Sequence, residues 1–104
     1  MVEVDRILIM LGRRSWDPEP VRMMTRQLSP ARAVFRSGGR FREGEEMKLI
    51  LLLMPGCTLD MTASVTSAEW KDGECTGELA LVCGFFEREK IRGFLKRFRV
   101  GEPA

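Results

Sequence analysis

Apolar and polar residues alternate along most of this chain, and each break in the alternation marks the start of a new element. Val2 to Leu11 is rich in apolar and β-branched residues and reads as a first strand, ended by Gly12-Arg13-Arg14-Ser15. Trp16-Asp17-Pro18-Glu19-Pro20 is a loop, because its prolines cannot take part in ladder pairing. From Val21 to Leu28 the alternation puts Val21, Met23, Thr25 and Gln27 on one face and Arg22, Met24, Arg26 and Leu28 on the other. After Ser29-Pro30 the pattern resumes over Ala31 to Arg36, with Ala31, Ala33 and Phe35 opposite Arg32, Val34 and Arg36. Ser37-Gly38-Gly39 then turns the chain, glycine accepting positive φ without steric cost.

Met47 to Met54 is apolar on both faces, as a central strand would be, and Pro55-Gly56 closes it. Leu59, Met61, Ala63 and Val65 alternate with polar residues in a half-buried strand that runs towards Trp70. Asp72-Gly73 is a turn, and Glu78 to Phe86, with Cys83 packed in it, is a last strand leading straight into a helix. In that helix Ile91, Phe94, Leu95 and Phe98 form one apolar stripe, with Arg88, Arg92, Lys96 and Arg99 off it. Glu87 and Glu89 sit early and the cations late, which suits the helix dipole, and Gly101 and Pro103 stop it. About six strands and one terminal helix predict a mainly β fold. The expected architecture is a small six-stranded β-barrel, closed or nearly so, with the C-terminal amphipathic α-helix as a lid.

The 104 residues make a single domain, 1–104, with a thin core. At 44% hydrophobic and 31% charged, the composition is that of a globular protein and not of a disordered tail. The apolar run near the N-terminus, Ile7 to Leu11, is too short for a signal peptide, and the longest, Leu49 to Met54, is about a third of a membrane span. The protein is therefore read as cytoplasmic, with no membrane span. Catalytic and metal sites are both expected to be absent. There is no histidine, no CxxC pair among Cys57, Cys75 and Cys83, no base beside a nucleophile and no phosphate-binding glycine loop. The chain is read as a binding module and not an enzyme.

Charge adds the first functional signal. Net charge is only +2, yet residues 12–42 hold eight arginines against Asp17 and Glu19, while residues 43–78 hold eight carboxylates against Lys48 and Lys71. Such segregation points to an anionic ligand or partner for the first third, or to arginines neutralised by the acidic middle of the same fold.

The order of elements resembles the PilZ domain. The resemblance rests on Phe41-x-x-Gly44-Glu45 before the long apolar strand, on Leu59 to Trp70, and on Gly84-Phe85-Phe86 running into the helix. It covers roughly residues 20–99 and is best over 27–54 and 78–98. PilZ domains are bacterial six-stranded barrels with a C-terminal helix, and many are receptors for cyclic di-GMP, so the resemblance implies that fold and that candidate ligand. The family's ligand chemistry uses an Arg-x-x-x-Arg clamp and an Asp/Asn-x-Ser-x-x-Gly motif. The second aligns with Gln27-Leu28-Ser29-Pro30-Ala31-Arg32, where Ser29 matches, Gln27 replaces the acid or Asn, and Arg32 replaces the glycine. Arg22 and Arg26 have the clamp's spacing but lie within the second strand. Aligned by strands, the clamp falls before Val2, so Arg13-Arg14 is the substitute that could supply it.

These residues give the candidate ligand set Arg13, Arg14, Gln27, Ser29 and Arg32. The candidate partner surface is Arg36, Arg40 and Arg42, joined by Arg88, Arg92 and Lys96 if the fold brings them together. The resemblance implies a signalling or adaptor module linked to cyclic di-GMP control of motility, pili or biofilm. With the motif this degenerate, it is expected to act through a protein with an acidic surface more than through strong nucleotide binding. The alternatives are a cyclic di-GMP receptor with a relocated arginine clamp, or a small barrel that binds single-stranded nucleic acid with Phe35, Phe41, Trp16 and Arg36.

Overall fold

A computed structural model describes residues 1–54 and 56–100. The strands are β1 (Val2–Arg14), β2 (Val21–Leu28), β3 (Arg32–Ser37), β4 (Glu46–Met54), β5 (Cys57–Lys71) and β6 (Glu74–Val82), followed by helix α1 (Phe85–Phe98). They close into a barrel in the order β1-β2-β3-β6-β5-β4, every neighbouring pair antiparallel. Two three-stranded meanders, β1–β3 and β4–β6, are thus sealed along β1·β4 and β3·β6. The barrel with its C-terminal helix is the expected fold class.

Side chains from every strand fill the interior, as a barrel this narrow requires. Met10, Met23, Leu28, Phe35, Leu49, Leu51 and Leu79 are its large fully buried residues. Ile91, Phe94 and Leu95 of α1 are buried in the same core with Phe98 packed against them, so the helix does serve as a lid. The lid is tied down past its end, where the Val100 N–H donates to the Glu3 carbonyl at 2.8 Å. Gly101 and Pro103, the expected stop, lie outside the described residues, as does Pro55. None of the described helices is long and apolar enough to cross a membrane.

Four elements depart from the sequence expectation. β1 continues past Leu11 to Arg14, with Arg13 opposite Lys48 and Arg14 opposite Met47. Gly12 does not end the strand but makes room in it, because a Cβ there would meet Met47 Sδ at 2.5 Å and Met23 Cε at 2.7 Å. In β2 the register against β3 shifts between Met24 and Gln27. The shift reverses the later faces, so Leu28 is buried and Gln27 exposed. Thr25 holds the irregularity: its hydroxyl donates to the Gln27 carbonyl at 2.9 Å and accepts the Gln27 N–H at 3.2 Å.

β4 is not buried on both faces. Met47, Leu49, Leu51 and Leu53 point inward, while Ile50 faces out and is 38% exposed. β6 begins right after the turn at Asp72 (φ 55°) and Gly73 (φ 76°), paired positive angles that suit a tight hairpin. It stops at Val82, which leaves Cys83 half-buried in the connection and puts Phe85 and Phe86 in the first turn of α1. The helix starts there because the Gly84 N–H is capped by the Glu87 carboxylate at 2.8 Å.

Candidate functional site

Strand direction divides the sequence-predicted residues between the two ends of the barrel. At one end lie the β1–β2 loop (15–20), the β3–β4 loop (38–45) and the Asp72-Gly73 turn; this is the loop end. At the other, the helix end, lie the β2–β3 turn (29–31) and α1.

The loop end is built on Arg14, which is only 8% exposed although arginine is rarely buried. Its guanidinium carbon lies 4.3 Å from the Phe41 ring centroid and 4.9 Å from that of Trp16. Its Nε stands 3.4 Å from Glu45 Oε2. Neither of those atoms has a hydrogen-bond partner, so charge and packing hold the pair, not hydrogen-bond geometry. Glu45 is fixed in turn by its loop. Its other carboxylate oxygen accepts the Arg42 N–H at 3.2 Å, and its carbonyl accepts the Val65 N–H of β5 at 2.9 Å. Gly44, at φ 86°, donates its N–H to the Val65 carbonyl at 2.7 Å and makes that turn sterically free. Phe41 closes the floor edge-on to Phe35, centroids 5.2 Å apart.

Around this base opens a cleft of about 970 Å³, whose lining includes Trp16, Arg40, Arg42 and Trp70. Trp16 is 67% exposed and Trp70 40% exposed, and Arg40 lies over the Trp70 ring at 4.4 Å. Among the described residues no carboxylate forms an ion pair with Arg40 or Arg42. The loop end therefore offers two cations and two indoles to an incoming group, with the exposed Glu43 carboxylate next to Arg42 in sequence.

The other sequence-predicted residues are distributed differently. Arg13 is exposed on the outer wall of β1, and Arg36 on that of β3, outside the cleft lining. Gln27, Ser29 and Arg32 lie at the helix end, the whole length of β1 away from Arg13 and Arg14, because Leu28 pairs with Val2. The structure does not bring the relocated clamp to the degenerate motif. Ser29 is occupied by its own turn, its hydroxyl accepting the N–H groups of Ala31 (3.2 Å) and Arg32 (2.9 Å). Arg32 pairs with Glu78 at 3.5 Å. Arg88, Arg92 and Lys96 are exposed on α1, with Arg92 bound to Glu89 at 2.9 Å, and do not join Arg40 and Arg42. The acidic middle thus neutralises Arg14 and Arg32, but not Arg40 or Arg42.

Sequence reasoning missed Glu45 and Trp70. An exposed tryptophan just before a tight turn was the available signal for Trp70; the burial of Glu45 against Arg14 left no mark in the alternation.

No protein-family model and no curated protein matches the chain. Among solved structures, that of the Bacillus subtilis Inhibitor of motility (MotI/DgrA) matches with a TM-score of 0.72 and 17% sequence identity. The match covers 92% of this chain and 48% of that one, so the chain spans about half the length of the solved protein. The match supports a PilZ-like fold. At this identity the likeness concerns the path of the backbone, and the site must be argued from its own residues.

Proposed function

We propose that this chain is a PilZ-like adaptor module that works by binding and not by catalysis, docking a protein with an acidic surface at its loop end. The observation that carries the reading is the convergence of Arg40, Arg42, Trp16 and Trp70 on one cleft, with both arginines free of ion pairs among the described residues. Arginine and tryptophan are the side chains that most often dominate protein–protein binding energy, since each combines a large contact area with directed polar or π interactions. The buried Arg14–Glu45 pair braces the cleft beforehand, which lowers the ordering cost of association. A partner with acidic groups would be steered to the cleft by Arg40 and Arg42 and then held by the indoles.

The likeness to an inhibitor of motility is in keeping with a signalling role of this kind. Cyclic di-GMP is at most a weak ligand in this reading. The candidate clamp arginines, Arg13 and Arg14, and the candidate base-reading residues, Gln27, Ser29 and Arg32, lie at opposite ends of the barrel, and Ser29 and Arg32 already have partners.

The protein carries its own probe, because its two tryptophans are Trp16 and Trp70 and both line the cleft. Titration with poly-L-glutamate at low salt should change the tryptophan emission saturably, and the response should collapse in about 0.5 M salt, where exposed charges are screened beyond a few ångströms. An emission unchanged by poly-L-glutamate at low salt contradicts the proposal.

A further inference from the structure

Strands of a closed barrel alternate between core and water, so their outer residues are ordinarily polar. β1 breaks this rule. Leu8, Met10 and Gly12 are buried, and the outward series is Asp5, Ile7, Ile9, Leu11, Arg13. Ile9 and Leu11 pair across to Leu52 and Ile50 of β4, and Ile9 also to Met24 of β2, so an apolar strip crosses three strands. Ile7 is 51% exposed and stands in the Glu3–Leu8 stretch, where the register of β1 against β2 shifts. Beside Leu11 and Ile50 the wall dips into a depression of about 640 Å³, edged by Arg13, Pro20, Lys48 and Asp60. An isolated barrel has no use for such a strip.

The series is symmetric in size and opposite in charge about Ile9. Ile7 and Leu11 stand two residues to either side, and Asp5 and Arg13 four. Laid antiparallel on a copy of itself it is self-complementary, because each apolar residue meets an apolar residue and each charge its opposite. Parallel stacking would set Arg13 and Lys48 against the same cations of the other copy, which repulsion disfavours.

We propose that the outer face of β1 and β4 is a homodimer interface, with two copies packed antiparallel about a two-fold axis beside Ile9. Ile7 of each copy seats in the depression at Leu11 and Ile50 of the other, and the Asp5 carboxylate of each, bound to Arg6 of its own copy at 2.9 Å, is bridged by Arg13 of the other. The contact is isologous, so it closes at two copies and does not propagate into a filament. It leaves the Trp16–Trp70 cleft open on both copies and stands independently of the adaptor reading. The strip is narrow, so the association is weak, with a Kd on the order of 100 µM.

Sedimentation equilibrium of the full chain from about 10 µM to about 1 mM tests this around the expected Kd. The average mass should climb from monomer to dimer. Ile7→Glu and Arg13→Asp should each weaken the association about tenfold or more. Both sites are exposed, so far-UV circular dichroism should stay that of the parent. The charge swap Asp5→Arg with Arg13→Asp should restore the dimer to within about threefold of the parent, since each copy again meets its opposite charge. A chain that stays monomeric at about 1 mM overturns the proposal. A swap no better than Arg13→Asp alone overturns it too.

Discussion

Arg14 and Glu45 face one another at 3.4 Å under the loop-end cleft, nearly removed from water, with the Phe41 and Trp16 rings packed on the guanidinium. An arginine shut away from solvent depends on its counter-charge. Glu45→Ala should therefore destabilise the domain by about 3–5 kcal/mol, because it strands a buried cation and frees the Arg42 N–H. The double variant Arg14→Met with Glu45→Met should recover most of that loss, since two apolar residues of similar length need no pairing. Denaturant unfolding measures both, and a cost below about 1 kcal/mol for Glu45→Ala would mean that water solvates the pair.

The lid makes a separate prediction. Phe94 is 5% exposed and stacks on Phe98 with ring centroids 4.8 Å apart. Phe94→Ala should cost about 3–5 kcal/mol in chemical unfolding, the range for a large aromatic removed from a core. A loss of less than about 1 kcal/mol would show that the helix contributes little to closing the barrel.

Asp5 supplies a prediction in pH. Hydrogen bonding to the Arg6 side chain, with the guanidinium charge adding to it, holds its carboxyl below the usual carboxylate range. A lowered folded-state pKa favours the folded chain above the ordinary carboxylate range, and that contribution is lost as pH falls through the lowered value. The pair lies at the surface, so its effect on stability is small. The titration itself is the better readout: the Asp5 carboxyl, followed by NMR, should have a midpoint below that of an ordinary aspartate and move back up in Arg6→Ala. An unchanged midpoint in that variant would contradict the assignment.

Much of the fold was legible because a barrel uses the alternation of side chains directly. The limits of β2, the Asp72-Gly73 turn and the Ile91–Phe94–Leu95 stripe all follow from period and turn chemistry. The departures arise where one residue breaks the period without breaking the strand. Gly12 reads as a stop but is a notch for two methionines, and the irregularity at Thr25 moves Leu28 inward and Gln27 outward. β4 reads as doubly buried because Ile50 and Leu52 make the middle of its outer face apolar, although no described element covers them. The site was legible as a charge imbalance and not as a place. Which arginines stay unpaired depends on the closure of the barrel, which buries Arg14 on Glu45, ties Arg32 to Glu78 and leaves Arg40 and Arg42 open.

Cyclic di-GMP separates the adaptor reading from the receptor reading. Calorimetric titration at moderate salt should give no saturable heat at micromolar concentrations, in keeping with the separation of Arg13 and Arg14 from Gln27, Ser29 and Arg32. Micromolar binding abolished by Arg13→Ala together with Arg14→Ala would favour a relocated clamp instead.

Docking at the cleft is tested by a double charge reversal, Arg40→Glu with Arg42→Glu, followed through tryptophan emission and unfolding together. Arg40 and Arg42 are exposed and pair with no carboxylate among the described residues. The poly-L-glutamate response should be lost with stability held within about 0.5 kcal/mol, as for other surface substitutions. An undiminished response, or a domain that unfolds on reversal, would contradict it.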